Sequence, residues 1–346
     1  MKQLEIKETF SNWREIVRNY QMPDTSKAIW QIVNTFVPFL GICALMYWSL
    51  DYSYWTTLAL GILNSFLLVR IFIIQHDCGH QSFLDSKIAN DIIGRICAFF
   101  SLIPYRYWAK SHSYHHAHNA QLGHSDIGDV TTLTVEQYRN LSKWDRFKYR
   151  LYRSPLIMFT IGPVYYIVIH SRLPLISLKG WNKERASVLR TNIYLVLFYA
   201  ILGYLIGYAT LLKLYAPILV TFSIIAIWFF YVQHQHNPNY KQPKESWEYL
   251  MAAIKGSTYY KLPKVMHWLT GNIGFHHIHH LNSKIPNYNL AKCHKENPIF
   301  DELAVKMTFW ESFTCLFNKL WDEEKDRMIS FRQFYKLEKD RMMQKA

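Results

Sequence analysis

Three dense clusters of histidine carry the chemistry of this chain: His76 and His80 in HDCGH, His112, His115 and His116 in HSYHH, and His276, His279 and His280 in HHIHH. Neutral imidazole is a strong ligand for iron, copper and zinc. A zinc ion is normally satisfied by about four ligands, so eight such histidines exceed one zinc and suit two metal ions sharing a site. His76 and His80 are four residues apart, and the other two clusters each run i, i+3, i+4. On a helix those positions share one face, so each cluster becomes a claw of imidazoles aimed one way. A single histidine, or one pair at i, i+4, is an ordinary polar residue. Three clusters, each a short distance past a hydrophobic stretch, point instead to a polynuclear metal site at a membrane surface, where the fitting chemistry is that of oxygen on a lipid.

The remaining histidines divide by position. His234 and His236 flank the end of the last long apolar stretch, at the depth of the clusters; one of them can supply a ninth ligand, and His234, closer to the membrane end, is the expected one. His277 lies among ligands at the wrong helical phase and is expected to pack. His118 and His124 fall in a polar loop, and His170, His267 and His294 are read as structural. A ligating imidazole needs its other ring nitrogen held, often by a carboxylate; Asp77, Asp126, Asp129 and Glu248 are the candidates. Arg70, near the end of an apolar stretch, must snorkel to a headgroup or find an ion-pair partner.

The elements that position these residues follow from hydropathy and charge. Of the 346 residues 50% are hydrophobic and 16% aromatic, yet mean hydropathy is close to zero; a few spanning helices joined to large polar segments give that combination. Four stretches have the roughly 20 apolar residues that a bilayer core requires: about 29–48, 54–74, 191–210 and 214–232. Short connections at Leu50–Ser53 and Leu211–Lys213 make two helical hairpins, each entering and leaving on the same side. Residues 1–28, 75–190 and 233–346 hold 37 of the 39 Lys and Arg, and the positive-inside rule places them, both termini and every histidine cluster in the cytoplasm. Two shorter stretches, 92–108 and 156–169, contain Arg95 and Pro104 or Pro163 and are expected in the interface or over the metal site. The net charge of +14, read in a membrane protein, suits anionic headgroups or an acidic protein partner rather than nucleic acid. Cys43, Cys78, Cys97, Cys293 and Cys315 form no CxxC pair and are read as reduced thiols. The charged tail from Lys319 onward is read as a solvated amphipathic helix.

The boxes in this membrane context resemble those of the integral-membrane fatty acid desaturase family, whose pattern is HxxxH, HxxHH and HxxHH. Within it, the segments RIFIIQHDCGHQSF, SHSYHHAHNA, FYVQHQHN, YYKLPKVMHWLTGNIGFHHIHHL and IPNYNL are similar to bacterial acyl-lipid desaturases of the bacillus Δ5 type. The likeness covers about residues 35–331. It implies a non-haem centre of two iron ions, held by His76, His80, His112, His115, His116, His276, His279 and His280 with His234 as the ninth ligand. There O2 and two electrons would place a cis double bond in a saturated acyl chain of a membrane lipid. It also implies an external donor such as ferredoxin or flavodoxin; the chain has no HPGG haem motif, so a separate soluble, acidic electron-transfer protein is expected.

The fold expected is therefore all-α and integral to the membrane, a single desaturase domain over 1–346: four transmembrane helices in two hairpins, with a helical cytoplasmic cap holding a di-iron histidine site; the expected location is the bacterial inner membrane. The alternative on the same scaffold is a fatty acyl hydroxylase or ketolase. A metal transporter would place polar ligands within its spans, and these spans contain no histidine.

Overall fold

The computed structural model describes residues 3–123 and 127–345. Two short helices, α1 (Gln3–Thr9) and α2 (Trp13–Arg18), precede a long helical hairpin, α3 (Thr25–Ser49) and α4 (Tyr54–Gly79). The Asp24 carboxylate accepts from the Lys27 amide at 3.0 Å and caps α3, satisfying an amide that the first helical turn leaves without an intrahelical partner. Helix α5 (Lys87–Ser101) ends at Leu102 in a left-handed conformation (φ 57°), and Pro104 leads into α6 (Tyr105–His118) with the axis turned by 99°. That bend carries the second histidine box across the end of α4. It depends on close packing: the Tyr105 ring lies where a Cβ on Gly94 would come within 2.3 Å of it, and its hydroxyl donates to the Cys78 carbonyl at 2.8 Å.

After strand β1 (Gln121–Leu122) come α7 (Val135–Arg139), α8 (Lys143–Tyr152), a π-turn at Ile157–Ile161 and α9 (Gly162–Val168). The second long hairpin is α10 (Asn182–Ile206) and α11 (Tyr208–His234). Its turn is earlier than the apolar pattern suggests. The chain breaks at Gly207, where φ is 88°, a conformation that costs glycine little and other residues much. Lys213 and the supposed connection Leu211–Lys213 are inside α11, and α10 extends through the charged turns at Lys183–Arg185 before its apolar part begins.

Helices α3, α4, α10 and α11 are long and apolar enough to cross a membrane. α4 is the most enclosed of them, packed by α3, α5, α6 and α11. Arg70 of α4 resolves its cost without a carboxylate: it donates to Thr35 Oγ1 at 2.8 Å and Asn34 Oδ1 at 3.1 Å, also to the Trp268 carbonyl, and lies 4.3 Å from the Trp268 ring centre. The shorter apolar stretches form the bent α5–α6 pair and the α8–α9 pair, the latter turning by 47° and running along α11.

The cap is completed by β2 (Gln242–Pro243), α12 (Tyr249–Lys255), β3 (Thr258–Lys261), α13 (Lys264–Leu269), α14 (His276–Leu281), α15 (Asn287–Glu296), α16 (Ile299–Leu303), β4 (Val305–Thr308) and α17 (Phe309–Ser312). Parallel pairs β1–β2 and β3–β4 fasten distant segments. Ile6, Phe10 and Trp13 from the N-terminus pack with Ile254, Ile278, Leu290 and Phe300 in one apolar core. The tail is not simply solvated: hairpin β5 (Leu320–Asp322) and β6 (Arg327–Ile329) leads into α18 (Phe331–Lys345), and Leu320, Ile329 and Phe334 are buried against Tyr138 and Tyr149. Alternation of charge along α18 hid a single apolar stripe that the α7–α8 surface covers.

Candidate metal centre

The last turn of α4, the second half of α6, the end of α11 and all of α14 converge, and each brings histidines at helical spacing. One nitrogen from each of His76, His80, His112, His116 and His279 falls in a group whose atoms lie within 4.8 Å of one another; His115, His234 and His280 form a second such group. His276 joins the second, its Nε2 lying 3.0 Å from that of His234 and 3.1 Å from that of His280. Within the first, Nε2 of His112 lies 3.0 Å from those of both His76 and His116, and His116 lies 3.0 Å from His279. His115 and His234 are 3.2 Å apart. The two groups share α6: His112 and His116 serve one, and His115, on the intervening phase, the other.

This arrangement fits metal ions. Two nitrogens about 2.1 Å from one ion and at right angles to each other lie roughly 3.0 Å apart, which is the spacing of these pairs. His80 Nε2 is buried with no hydrogen-bond partner, as a donor aimed at an ion would be. Burial, with the neighbouring imidazoles adding to it, pushes His80, His112, His116, His276, His279 and His280 well below the ordinary histidine range. The rings are neutral, which is the ligating form. The indole of Trp108 stacks on His112 (4.6 Å, 17°) and meets Phe72, which meets Phe222; these rings wall the site from the apolar helices.

Of the carboxylates anticipated, Asp77 holds a ring: its Oδ1 lies 2.8 Å from His76 Nδ1, and its Oδ2 accepts from the backbone and side-chain N–H of Asn287 at 2.6 and 2.8 Å. Asp129 is close enough to His115 to act on it electrostatically, against the larger effect of burial. Glu248 turns to Lys7 instead. Asp126 and His124 lie outside the described residues. Asn287 was not singled out from the sequence; only its presence in IPNYNL marked it.

The structure separates His234 from His236. His234 ends α11 with its ring in the second group and Nδ1 3.3 Å from the Gly256 carbonyl; His236, two residues on, points Nδ1 at the Pro238 carbonyl at 2.6 Å and belongs to neither group. His277 is buried beside Tyr259, His294 and Phe300. His118 bonds the Tyr114 carbonyl, His170 stacks on Tyr166, His267 stacks on Phe275, and His294 faces Asp301 at 3.6 Å.

Membrane-length apolar helices ending in two groups of buried imidazoles, able to hold metal ions, define an integral-membrane protein of the histidine-box kind. The family model described as "Fatty acid desaturase" matches residues 53–310, a window that contains every histidine of both groups. The chain is 41% identical over 317 residues to a protein named "Fatty acid desaturase" of Bacillus subtilis, covering 91% of this chain and 89% of that one. It is 27% identical to the "sn-1 oleoyl-lipid 12-desaturase" of Synechocystis (75% and 74% covered) and 29% identical to the "sn-1 acyl-lipid omega-3 desaturase (ferredoxin)" of a Nostoc strain (73% and 69%). The chain belongs to the fatty acid desaturase family, and it is a membrane desaturase.

Proposed function

We propose that His76, His80, His112, His116 and His279 hold one iron ion and His115, His234, His276 and His280 a second, and that this di-iron centre desaturates a fatty acyl chain carried on a membrane lipid. The observation that carries the reading is the partition of nine buried imidazoles into two adjacent groups, too many for a single ion and all from four helix ends. Bound iron supplies the oxygen chemistry that an unactivated C–H bond requires, since such a bond offers neither an acidic proton nor a leaving group. The chain's own residues hold that chemistry in place. Asp77 keeps the proton of His76 on Nδ1 and so leaves Nε2 free to ligate. Trp108, Phe72 and Phe222 exclude water from the membrane side. The names of the acyl-lipid relatives support the lipid-borne substrate, and "ferredoxin" in one of them supports an acidic donor of that kind or a flavodoxin. The concentration of basic residues in 1–28, 75–190 and 233–346 supports a cytoplasmic site in a bacterial inner membrane.

The test is the fatty acid profile of a bacterial host expressing the chain, with double bonds located by mass spectrometry, beside a host expressing the His279→Ala variant. A new unsaturated acid absent from the variant, together with two irons per purified chain, is the expected result. A hydroxylated or keto acid would move the reaction to the sister class. One iron, or none, in active protein would end the di-iron assignment.

A further inference from the structure

A groove on the surface of the cap reaches the backbone of the second imidazole group, and the residue that follows its lining reaches the first. It runs between α2 and the turn after α14, lined by Trp13, Arg14, Arg18, Tyr249, Asn282 and Ser283. The Tyr249 hydroxyl, in its wall, donates to the His280 carbonyl at 2.8 Å and lies 3.1 Å from that of Leu281. Its ring stacks on Trp13 (5.9 Å, 26°), and the Arg14 guanidinium lies 4.6 Å from the Trp13 ring centre. Lys284, the residue after Ser283, donates to the His80 carbonyl at 2.6 Å. His280 belongs to the second group and His80 to the first, so one patch of surface touches a residue of each through a single hydrogen bond.

The patch is basic. No carboxylate lines the groove. Arg14 and Arg18 are exposed, stand one helical turn apart on α2 and make no ion pair among the described residues; Lys284 is exposed and makes none either.

We infer that this groove is where an acidic one-electron carrier, an iron–sulfur or flavin protein, docks to deliver electrons. The inference rests on the reading under Proposed function, which requires them. Forming the double bond breaks two C–H bonds and the O–O bond: –CH2–CH2– plus O2, two electrons and two protons gives –CH=CH– and two waters. The carrier is oxidised by one electron in each of two encounters. Unpaired cations beside a groove lined by no carboxylate draw an acidic surface and set its register. The Trp13–Tyr249 stack with its hydrogen bond to His280, and the Lys284 bond to His80, give a short bonded path inward from the point of contact.

The experiment uses the full-length, iron-loaded protein in lipid nanodiscs and follows anaerobic reduction of the centre by stopped flow. Reductants are a reduced acidic ferredoxin and, separately, dithionite with a small neutral mediator. For Arg14→Glu combined with Arg18→Glu, the ferredoxin rate at low ionic strength is expected to fall at least about tenfold and to lose its dependence on salt, with the dithionite rate unchanged. Lys143→Glu with Lys148→Glu, on α8, is expected to leave both rates as they were. A ferredoxin rate within twofold of the parent overturns the inference, as does an equal fall with both reductants or an equal fall in the α8 variant. The di-iron reading fails separately, in the unmodified protein, if it holds no iron or takes no electrons from dithionite, and the docking site falls with it.

Discussion

Replacing Asp77 by Asn is the sharpest perturbation of the site, because the amide has nearly the shape of the carboxylate and the wrong hydrogen-bonding groups. Asp77 is 1% exposed and accepts on both sides: from His76 Nδ1 at 2.8 Å through Oδ1, and from two N–H groups of Asn287 at 2.6 and 2.8 Å through Oδ2. An amide has one accepting oxygen and one donating nitrogen. Turned with oxygen toward His76, it sets its NH2 against both Asn287 donors. Turned the other way, its NH2 donates to His76 Nδ1, so the ring proton moves to Nε2, the atom that faces His112 and would ligate. The first orientation leaves two buried donors unmet, at about 1–3 kcal/mol each; the second removes a ligand from the five-imidazole group. Loss of a carboxylate behind a ligating histidine costs roughly 10–100-fold in metal affinity, or about 1.4–2.8 kcal/mol. We expect one metal equivalent to weaken by that factor and the other to stay put. The assay is a cobalt titration of the purified protein in competition with a chelator, read by the visible absorption of bound cobalt, with iron content by plasma spectrometry alongside. Asn287→Ala, which keeps the backbone donor, should weaken the same equivalent by less. Affinities for both equivalents within threefold of the parent would refute the argument that Asp77 sets the tautomer of His76.

His234→Ala should remove one metal equivalent and all desaturation, whereas His236→Ala, whose ring bonds the Pro238 carbonyl, should keep both; iron content with the lipid profile decides, and the reverse pattern would exchange their roles. Gly94→Ala puts a methyl within 2.3 Å of the Tyr105 ring, and the overpacking should cost about 1–3 kcal/mol, seen as a lower midpoint of thermal unfolding in detergent; an unchanged midpoint would mean that the ring swings aside freely. Lys319 is 6% exposed with Nζ on the Arg153 carbonyl, and burial, aided by the Arg153 charge, pushes its amine down to about 7. Below pH 7 the amine is protonated in folded and unfolded chains alike and its burial cost is fully present. Between 7 and its unfolded value near 10.5 the unfolded chain binds the proton that the folded chain does not, so stability rises with pH. Lys319→Met should relieve a cost of about 4 kcal/mol at pH 7, less about 1–2 for the lost hydrogen bond, and the gain over the parent should shrink as pH approaches 10; a parent midpoint that does not climb over this window would contradict it.

What the sequence disclosed depended on whether a feature was local. The i, i+3, i+4 spacing within each box already placed three imidazole claws, because helical phase is a property of neighbouring residues, and the apolar runs already gave four membrane-length helices. Phase also accounts for His234 over His236: α11 carries the first into the second group and ends before the second. The start of α10 was obscured because Lys183–Arg185 and Arg190 are helical yet charged, and the α10–α11 turn because Gly207 breaks a run whose hydropathy continues across it. Asn287 was out of reach, since its partner Asp77 is 210 residues away in the chain. The same holds for Arg153, wholly buried without a carboxylate: it donates to Gln235 Oε1 and the Asn318 carbonyl, each at 2.8 Å, and so ties the tail to the residue beside His234.

Those long-range ties have a common purpose in the energetics of the site. His112 Nε2 lies 3.0 Å from the Nε2 atoms of two other rings, and burial pushes His112 and His116 well below the ordinary histidine range. A proton on one of the three nitrogens can be shared with one neighbour, so at least one pair of lone pairs is forced together in a medium of low dielectric. Six such contacts among nine rings make the array unfavourable on its own and strongly favourable round cations, which couples metal binding to folding. The cost must be met by structure outside the rings. The α5–α6 bend pinned by Tyr105 and Gly94 holds one claw. The Asp77–Asn287 bonds hold another against α15, and the Arg153 and Asn318 bonds hold the end of α11. Weakening any of these braces should therefore lower metal affinity without touching a ligand, whereas a change on the lipid-facing side of α10, the least enclosed of the long helices, should not.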